Sequence, residues 1–449
     1  MRTKKRFSLS TTQIILLSFL LVILLGSVLL SLPCSTADGQ PVPYIDALFT
    51  ATTATCVTGL VTVTTASWSW FGQAVILLMI QIGGLGVVTV VSWLMLLMNK
   101  KMGLKDNLLL QDAFNLNSLS GLTRFVKNVV KGTLLVEAAG ALLYMTVFVP
   151  RMGAYGIWVS VFNAVSAFCN AGMDVIGPNS LCDYATNPVV NGVTAALIVL
   201  GGIGYIVWWD VIRVLRSPNK RSWRYLTLHS KIVLATTALL IFGGAALLFA
   251  AEYRNPATIG EMNLWEQIQA CLFQSVTTRT AGFAAIPQEG LSNAGALICC
   301  LLMFVGGSPV GTAGGIKTAT LAVLVSTAFC TITGRRQVSL FHRNLSSDTL
   351  RKAVAVAGMS LAILFLSTIA LCFVTDAAFM DILYETVSAT ATVGLTRGIT
   401  ALLNGWGKVI IIATMYFGRI GPISLAIALS TRRESVNAIQ NPTEEISVG

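Results

Sequence analysis

The sequence predicts an all-α integral membrane protein: four pseudo-repeats of span, re-entrant pore loop and span, eight transmembrane helices in all, around a central pore. Three observations predict it. Hydrophobic residues make up 55% of the 449 and charged residues only 11%, with a mean hydropathy of +0.76; a soluble domain carries about 25% charged residues. Windows nearly free of charge recur at 13–33, 70–98, 132–150, 192–209, 232–251, 291–330, 353–375 and 404–430, long enough to cross a hydrocarbon core of about 30 Å. A glycine-centred pattern also recurs four times along the chain.

The first apolar run follows "MRTKKR" and is read as a retained helix. It is long for the apolar region of a signal peptide, and no convincing small-x-small cleavage pattern follows. Basic clusters at 2–6, 100–105, 124–131, 213–231, 335–352 and 432–433 alternate with segments carrying Asp38, Asp46, Asp174, Asp183, Glu252, Glu261, Glu266, Glu289, Asp376 and Asp381. Lys/Arg bias in alternate short loops marks the cytoplasmic side. It predicts both termini inside, in a multi-pass protein of the cytoplasmic membrane, and the net charge of +11 then reports topology, not nucleic acid. The basic connections 213–231 and 335–352 and the tail are candidate docking surfaces, although solvated positive-inside loops account for them as well.

Nine cysteines show no metal-ligand spacing, and a bond between Cys34 and Cys182, the two expected outside, has no further support. His229 and His342 fall in basic connections, which argues against a histidine metal site. Neither GxxxxGK[ST] nor DKTGT occurs, so no ATPase chemistry is visible and no enzyme is expected.

The recurring segments are "FTATTATCVTGL" (49–60), "FNAVSAFCNAGM" (162–173), "LFQSVTTRTAGF" (272–283) and "YETVSATATVGL" (384–395). Aligned on Gly59, Gly172, Gly282 and Gly394 they are 113, 110 and 112 residues apart, with Phe49, Phe162, Leu272 or Tyr384 ten residues earlier. A second motif follows in each: "IQIGGLG", "LIVLGGIG", "FVGGSPVG" and "YFGRIGP". Its first glycine lies 24 residues past the anchor in repeats one, three and four, and 29 in repeat two. The implied units are 13–105, 106–216, 217–346 and 347–431, with pore loops 44–60, 157–173, 262–283 and 379–395, between a cytoplasmic N-terminus (1–12) and tail (432–449). Non-helical backbone at membrane depth is tolerated only where protein buries it or it lines a cavity. Four such loops on one axis would aim carbonyls and Thr hydroxyls at a common pathway, as needed to replace a cation's hydration shell.

The motifs "CVTGL", "FCNAGMD", "TTRTAGF" and "TATVGLT" resemble the four pore loops of the Trk/Ktr/HKT superfamily of potassium transporters, and the chain over roughly 12–430 resembles the Ktr membrane subunit. The resemblance implies a K⁺-conducting subunit with one pore per protomer, a homodimer, control by a cytosolic RCK-type nucleotide-binding partner, and often Na⁺ dependence, with no organic cofactor in this chain. It implies a filter of Cys56, Val57, Thr58 and Gly59; Cys169, Asn170, Ala171 and Gly172; Arg279, Thr280, Ala281 and Gly282; and Ala391, Thr392, Val393 and Gly394, binding K⁺ through backbone carbonyls. One glycine per loop, against two in TVGYG, suggests weaker K⁺/Na⁺ discrimination than in a K⁺ channel. A Na⁺-coupled symporter for a small organic solute is the rival reading, disfavoured because all four repeats share one orientation.

Departures from fourfold symmetry mark a gate. "GGSPVGTAGGIKTAT" (306–320) interrupts the third repeat with five glycines and Pro309, too many for an unbroken helix. Gly306, Gly307, Pro309, Gly311, Gly314, Gly315 and Lys317 are the gate candidates, with Lys317 expected to snorkel toward the cytoplasm. In "MYFGRIGPISL" (415–425), Arg419 stands where the other repeats have Gly84, Gly202 and Gly307. A mid-span arginine costs at least about 2.5 kcal/mol, so it should bind backbone carbonyls or face a cavity. Arg279 is expected to brace the third loop from behind, toward Glu385, and Asp174 to attract cations to the entrance.

Overall fold

The computed structural model of the protein describes residues 10–98, 103, 108–111, 122–217, 223–335 and 337–421. The basic clusters at 2–6 and 432–433, all of the 100–105 cluster but residue 103, Pro422 and the C-terminal tail lie outside the described residues.

Each quarter of the chain begins with a long apolar helix: α1 (Thr11–Leu30), α5 (Leu122–Met152), α9 (Leu228–Glu252) and α13 (Ser347–Cys372), as numbered in this account. These four are long and apolar enough to cross a membrane. A shorter, mostly buried helix follows each: α2 (Tyr44–Cys56), α6 (Tyr155–Cys169), α10 (Leu264–Thr277) and α14 (Phe379–Ala391).

The third helix of each quarter starts at a side-chain N-cap. Ser69, Asn187, Ser292 and Asn404 accept from Gly72, Val189, Gly295 and Gly407 amides at the heads of α3 (Trp70–Leu85), α7 (Pro188–Gly202), α11 (Asn293–Phe304) and α15 (Gly405–Ile420). Such caps satisfy amides that the helix itself leaves unpaired.

Three of these descending helices are followed by another helix after a break, not only the third-repeat one. α3 turns into α4 (Val87–Leu97) and α7 into α8 (Tyr205–Arg216), both through 98°. The hinges are Gly86 and Gly204, with φ of 84° and 87°. Gly421 ends α15 with the same φ of 87°. In the third quarter the corresponding residue is Pro309, and a loop separates α11 from α12 (Thr318–Ile332). The break is therefore a shared feature that the third repeat enlarges. Counting each bent pair as one span gives up to six candidates among the described residues. Beyond α12, a two-residue hairpin pairs β1 (Ser339–Leu340) with β2 (Arg343–Asn344).

The quarters close into a ring. The third helix of each packs on the short helix of the next: α3 on α6, α7 on α10, α11 on α14, and α15 back on α2. A buried ion pair, Lys408 Nζ to Asp46 Oδ1 at 2.5 Å, fastens that last contact between the ends of the chain.

Phe49, Phe162 and Tyr384 are fully buried under this ring, but Leu272, their counterpart in the alignment, is exposed and Phe273 is buried in its place. The cause is helical phase. α10 ends five residues before its glycine, whereas α2, α6 and α14 end three before theirs.

Candidate functional site

The short helices end where the glycine segments begin, and the four segments meet. A Cβ added to Gly59 would lie 2.5 Å from the Ala171 carbonyl oxygen. One on Gly172 would strike the Ala281 carbonyl, one on Gly282 the Val393 carbonyl, and one on Gly394 the Thr58 carbonyl. The residue before each glycine thus abuts the glycine of the preceding segment, round a closed circle. Every one of these glycines also has positive φ, 98°, 65°, 79° and 101° in turn, which L side chains seldom adopt.

A second left-handed position precedes each by two residues: Val57, Asn170, Thr280 and Thr392, with φ of 56°, 60°, 64° and 52°. The left-handed region is unfavourable for β-branched residues, so the surrounding contacts hold three of these four. A single glycine per loop therefore does not leave fewer fixed backbone angles. Two positions per loop are left-handed, and only one of them is glycine.

Side chains pin the loops from behind. Thr53 Oγ1 accepts from Gly59 N at 2.9 Å, Ser388 Oγ from Gly394 N at 3.0 Å, and Ser166 Oγ from Met173 N at 3.1 Å, while Thr277 Oγ1 donates to Phe283 O at 2.7 Å. The expectation that Thr hydroxyls face a pathway is wrong for these; they tie each loop to its own helix. Cys169 Sγ lies 3.8 Å from both Glu137 Oε1 and Gln81 Oε1.

Arg279 is buried, but not toward Glu385. Its Nη2 donates to Thr237 Oγ1 at 3.4 Å and Gly306 O at 3.5 Å, while Glu385 accepts from Thr396 and Thr400 hydroxyls. Glu385 already has two hydroxyl donors beyond its loop, so the arginine turns to α9 and to the start of the 306–317 loop.

Gly59, Gly172, Gly282 and Gly394 all line one cavity of about 580 Å³. Asp174 and Glu289 also line it, with no Lys or Arg among its described lining residues. Asp174 Oδ1 accepts from Ile176 N at 3.2 Å, and burial pushes its carboxyl up to about 6.

On the other side of the glycines lies the 306–317 loop. It leaves α11 at Val305 and returns beside it, with Gly306 N donating to Ile316 O at 3.0 Å and Thr318 N to Gly307 O at 2.9 Å. The body of the loop is stitched to the second repeat. Ser308 N donates to Gly202 O at 2.8 Å, Thr312 N to Gly201 O, Tyr205 N to Val310 O, and Thr312 Oγ1 to Phe168 O at 3.1 Å. Gly311 fits against the Gly201 carbonyl, and Gly314 against Thr392 of the fourth loop.

Arg419 reaches this loop. Nη1 donates to Thr312 O at 2.5 Å and Nη2 to Gly83 O, so one side chain joins the third and first repeats from the fourth. Lys317 does not snorkel: its Nζ donates to Ala313 O at 2.6 Å, four residues back in its own loop. The Ala313 carbonyl lies within reach of the ammonium, so the side chain folds inward.

The TrkH family, described as cation transport proteins, matches residues 3–440. This chain belongs to that family. It is 38% identical to the Ktr system potassium uptake protein B of Bacillus subtilis (strain 168), covering 97% of this chain and 96% of that one. It is 37% identical to the potassium/sodium uptake protein NtpJ of Enterococcus hirae, covering 100% and 99%. The potassium transporter TrkH from Vibrio parahaemolyticus shares the fold, with a TM-score of 0.76 at 15% identity over 96% of this chain and 87% of that one. A TrkH-family chain is a multi-pass membrane transporter and not an enzyme.

Within this TrkH-family chain, residues around the glycine segments escaped the sequence reading. The N-caps Ser69, Ser292 and Asn404 each stand ten residues past the anchoring glycine, and Asn187 stands fifteen past, a regularity that could have been read. The hydroxyls at Thr53, Ser166 and Ser388, six residues before their glycines, were equally visible. The cluster of Glu137, Gln81 and Cys169 gave no signal, because its members lie on three helices.

Proposed function

We propose that this chain is the ion-translocating subunit of a K⁺ uptake system. K⁺ passes inward, driven by the membrane potential, through eight spans arranged as four repeats with both termini cytoplasmic. The observation that carries the reading is the closed circle of Gly59, Gly172, Gly282 and Gly394, each against the next loop's carbonyl. Backbone carbonyls converging on one axis can exchange for the hydration shell of an alkali cation.

The full-length likeness to proteins named for potassium uptake, and for potassium/sodium uptake, supports K⁺ as cargo and Na⁺ as a plausible second ion. In this reading the filter is Cys56–Gly59, Cys169–Gly172, Arg279–Gly282 and Ala391–Gly394. K⁺ binds its carbonyls as substrate, fed from the acidic outer cavity. The gate is the loop of Gly306, Gly307, Pro309, Gly311, Gly314, Gly315 and Lys317, held across the path by Arg419. Tethering to repeats two and four supports a closed arrangement, since Thr312 and Ser308 bind repeat two and Arg419 binds Thr312. A homodimer, Na⁺ dependence and an RCK-type cytosolic partner belong to the same proposal.

The test is expression in a bacterium lacking its own K⁺ uptake, grown at low K⁺ with and without Na⁺. Growth is the expected result, faster with Na⁺. Absence of rescue with the protein present in the membrane would overturn the reading.

A further inference from the structure

Arg419 and Lys317 line a cavity of about 110 Å³ between the gate loop, α13 and α15. We propose that this cavity holds a small inorganic anion, of the chloride or phosphate class, as counter-ion to the two gate cations. The proposal rests on the assignment of both residues to the gate.

Charge is the first argument. No carboxylate is among the described lining residues, and neither cation forms an ion pair with a described residue. Their contacts with Thr312, Gly83 and Ala313 are to neutral carbonyls. A guanidinium has five N–H groups and an ammonium three, so both keep donors after these contacts are made. Both side chains are only partly exposed, and charges withdrawn from water are normally paired.

Three further features at the same place can serve an anion, the first through its charge and the others as hydroxyl donors. The 15-residue helix α12 begins at Thr318, immediately after the lining residues Gly315 to Lys317, and a helix N-terminus carries partial positive charge. Thr390 lines the cavity, is only 5% exposed, and its hydroxyl has no hydrogen-bond partner among the described residues. Ser360 adds a second hydroxyl. Depth decides the kind of anion. Ser360 lies near the middle of α13 (Ser347–Cys372), away from the interface where a lipid headgroup resides, so a small free ion fits and a phospholipid does not.

An anion here lowers the repulsion between Arg419 and Lys317 and the barrier they present to K⁺. Loss of the anion raises that barrier. The test uses purified full-length protein. Crystals grown with bromide replacing chloride should show anomalous density in this cavity. In proteoliposomes, replacing chloride by gluconate should lower K⁺ flux about fivefold or more, the usual lower bound for coupled sites. Lys317→Gln should abolish the anion response, and Lys317→Arg, which keeps the charge, should retain it. An empty cavity in the bromide map, or an unchanged anion response in Lys317→Gln, overturns the proposal. Absence of K⁺ flux in every anion instead refutes the transport reading, and the bromide map then decides the anion site by itself.

Discussion

At the scale of single residues, the four glycines of the circle leave least room for change. A methyl group at Gly59 would sit 2.5 Å from the Ala171 carbonyl at a φ of +98°, and left-handed backbone alone costs an L residue about 1–2 kcal/mol. Gly59→Ala is expected to lower K⁺ flux and the K⁺/Na⁺ ratio together, measured by tracer competition in proteoliposomes; unchanged selectivity would count against the filter assignment. Arg419→Ala removes the donors to Thr312 and Gly83 and a half-buried positive charge, so conductance should rise. Flux equal to that of the unaltered protein would remove Arg419 from the gate. Asp174 gives a pH dependence whose sign follows from its raised carboxyl. It is ionised above about 6 and neutral below, so cation attraction at the outer mouth is present at neutral pH and is lost as pH falls through 6. A nearby unit charge contributes about 1 kcal/mol, so uptake at low K⁺ should fall roughly fivefold on acidification and Asp174→Asn should abolish that pH step.

At the scale of elements, the 306–317 loop is held by its neighbours more than by itself. Its body bonds to Gly201, Gly202 and Phe168 of repeat two, and its neck closes between Gly306 and Ile316. Shortening 309–317 should therefore raise flux without unfolding the helices, because α11 keeps its Ser292 cap and α12 packs on α9 and α13. Unaltered flux in a well-folded deletion would argue against gating. The pore-loop helices owe their position to the ring of helix contacts, which one ion pair closes. Asp46 and Lys408 have side chains only 11% and 15% exposed. Removing one partner of a buried pair costs about 3 kcal/mol, so Asp46→Ala should lower the thermal unfolding midpoint in detergent markedly. Lys408→Met combined with Asp46→Leu should recover much of that loss.

At the scale of the whole molecule, the four quarters of the chain are not exact copies of one another. Three loops follow the same helical phase and the third is shifted, with Arg279 buried where the others place Cys56, Cys169 and Ala391. Eight left-handed positions, only four of them glycine, hold the circle. A filter that depends on strained Val57, Thr280 and Thr392 should discriminate K⁺ from Na⁺ less strictly than a TVGYG channel. Bi-ionic flux measurements in proteoliposomes check this, and K⁺-channel selectivity would exclude it.

The sequence by itself determined the membrane solvent, the repeat period and the residues that meet in the circle, because charge depletion and one glycine per unit are written locally. It also marked Arg419, since a repeat exposes the position that breaks it. It missed the hinges at Gly86 and Gly204, because a bent span and a straight one have the same hydropathy. Only the tertiary structure decided where side chains turn. Lys317 folds back to Ala313, Arg279 reaches Thr237 and not Glu385, and hydroxyls of the short helices bind the backbone of the loops that follow them. Those choices depend on which carbonyl or hydroxyl lies within about 3 Å, a distance set by how four repeats close on one another and invisible along the chain.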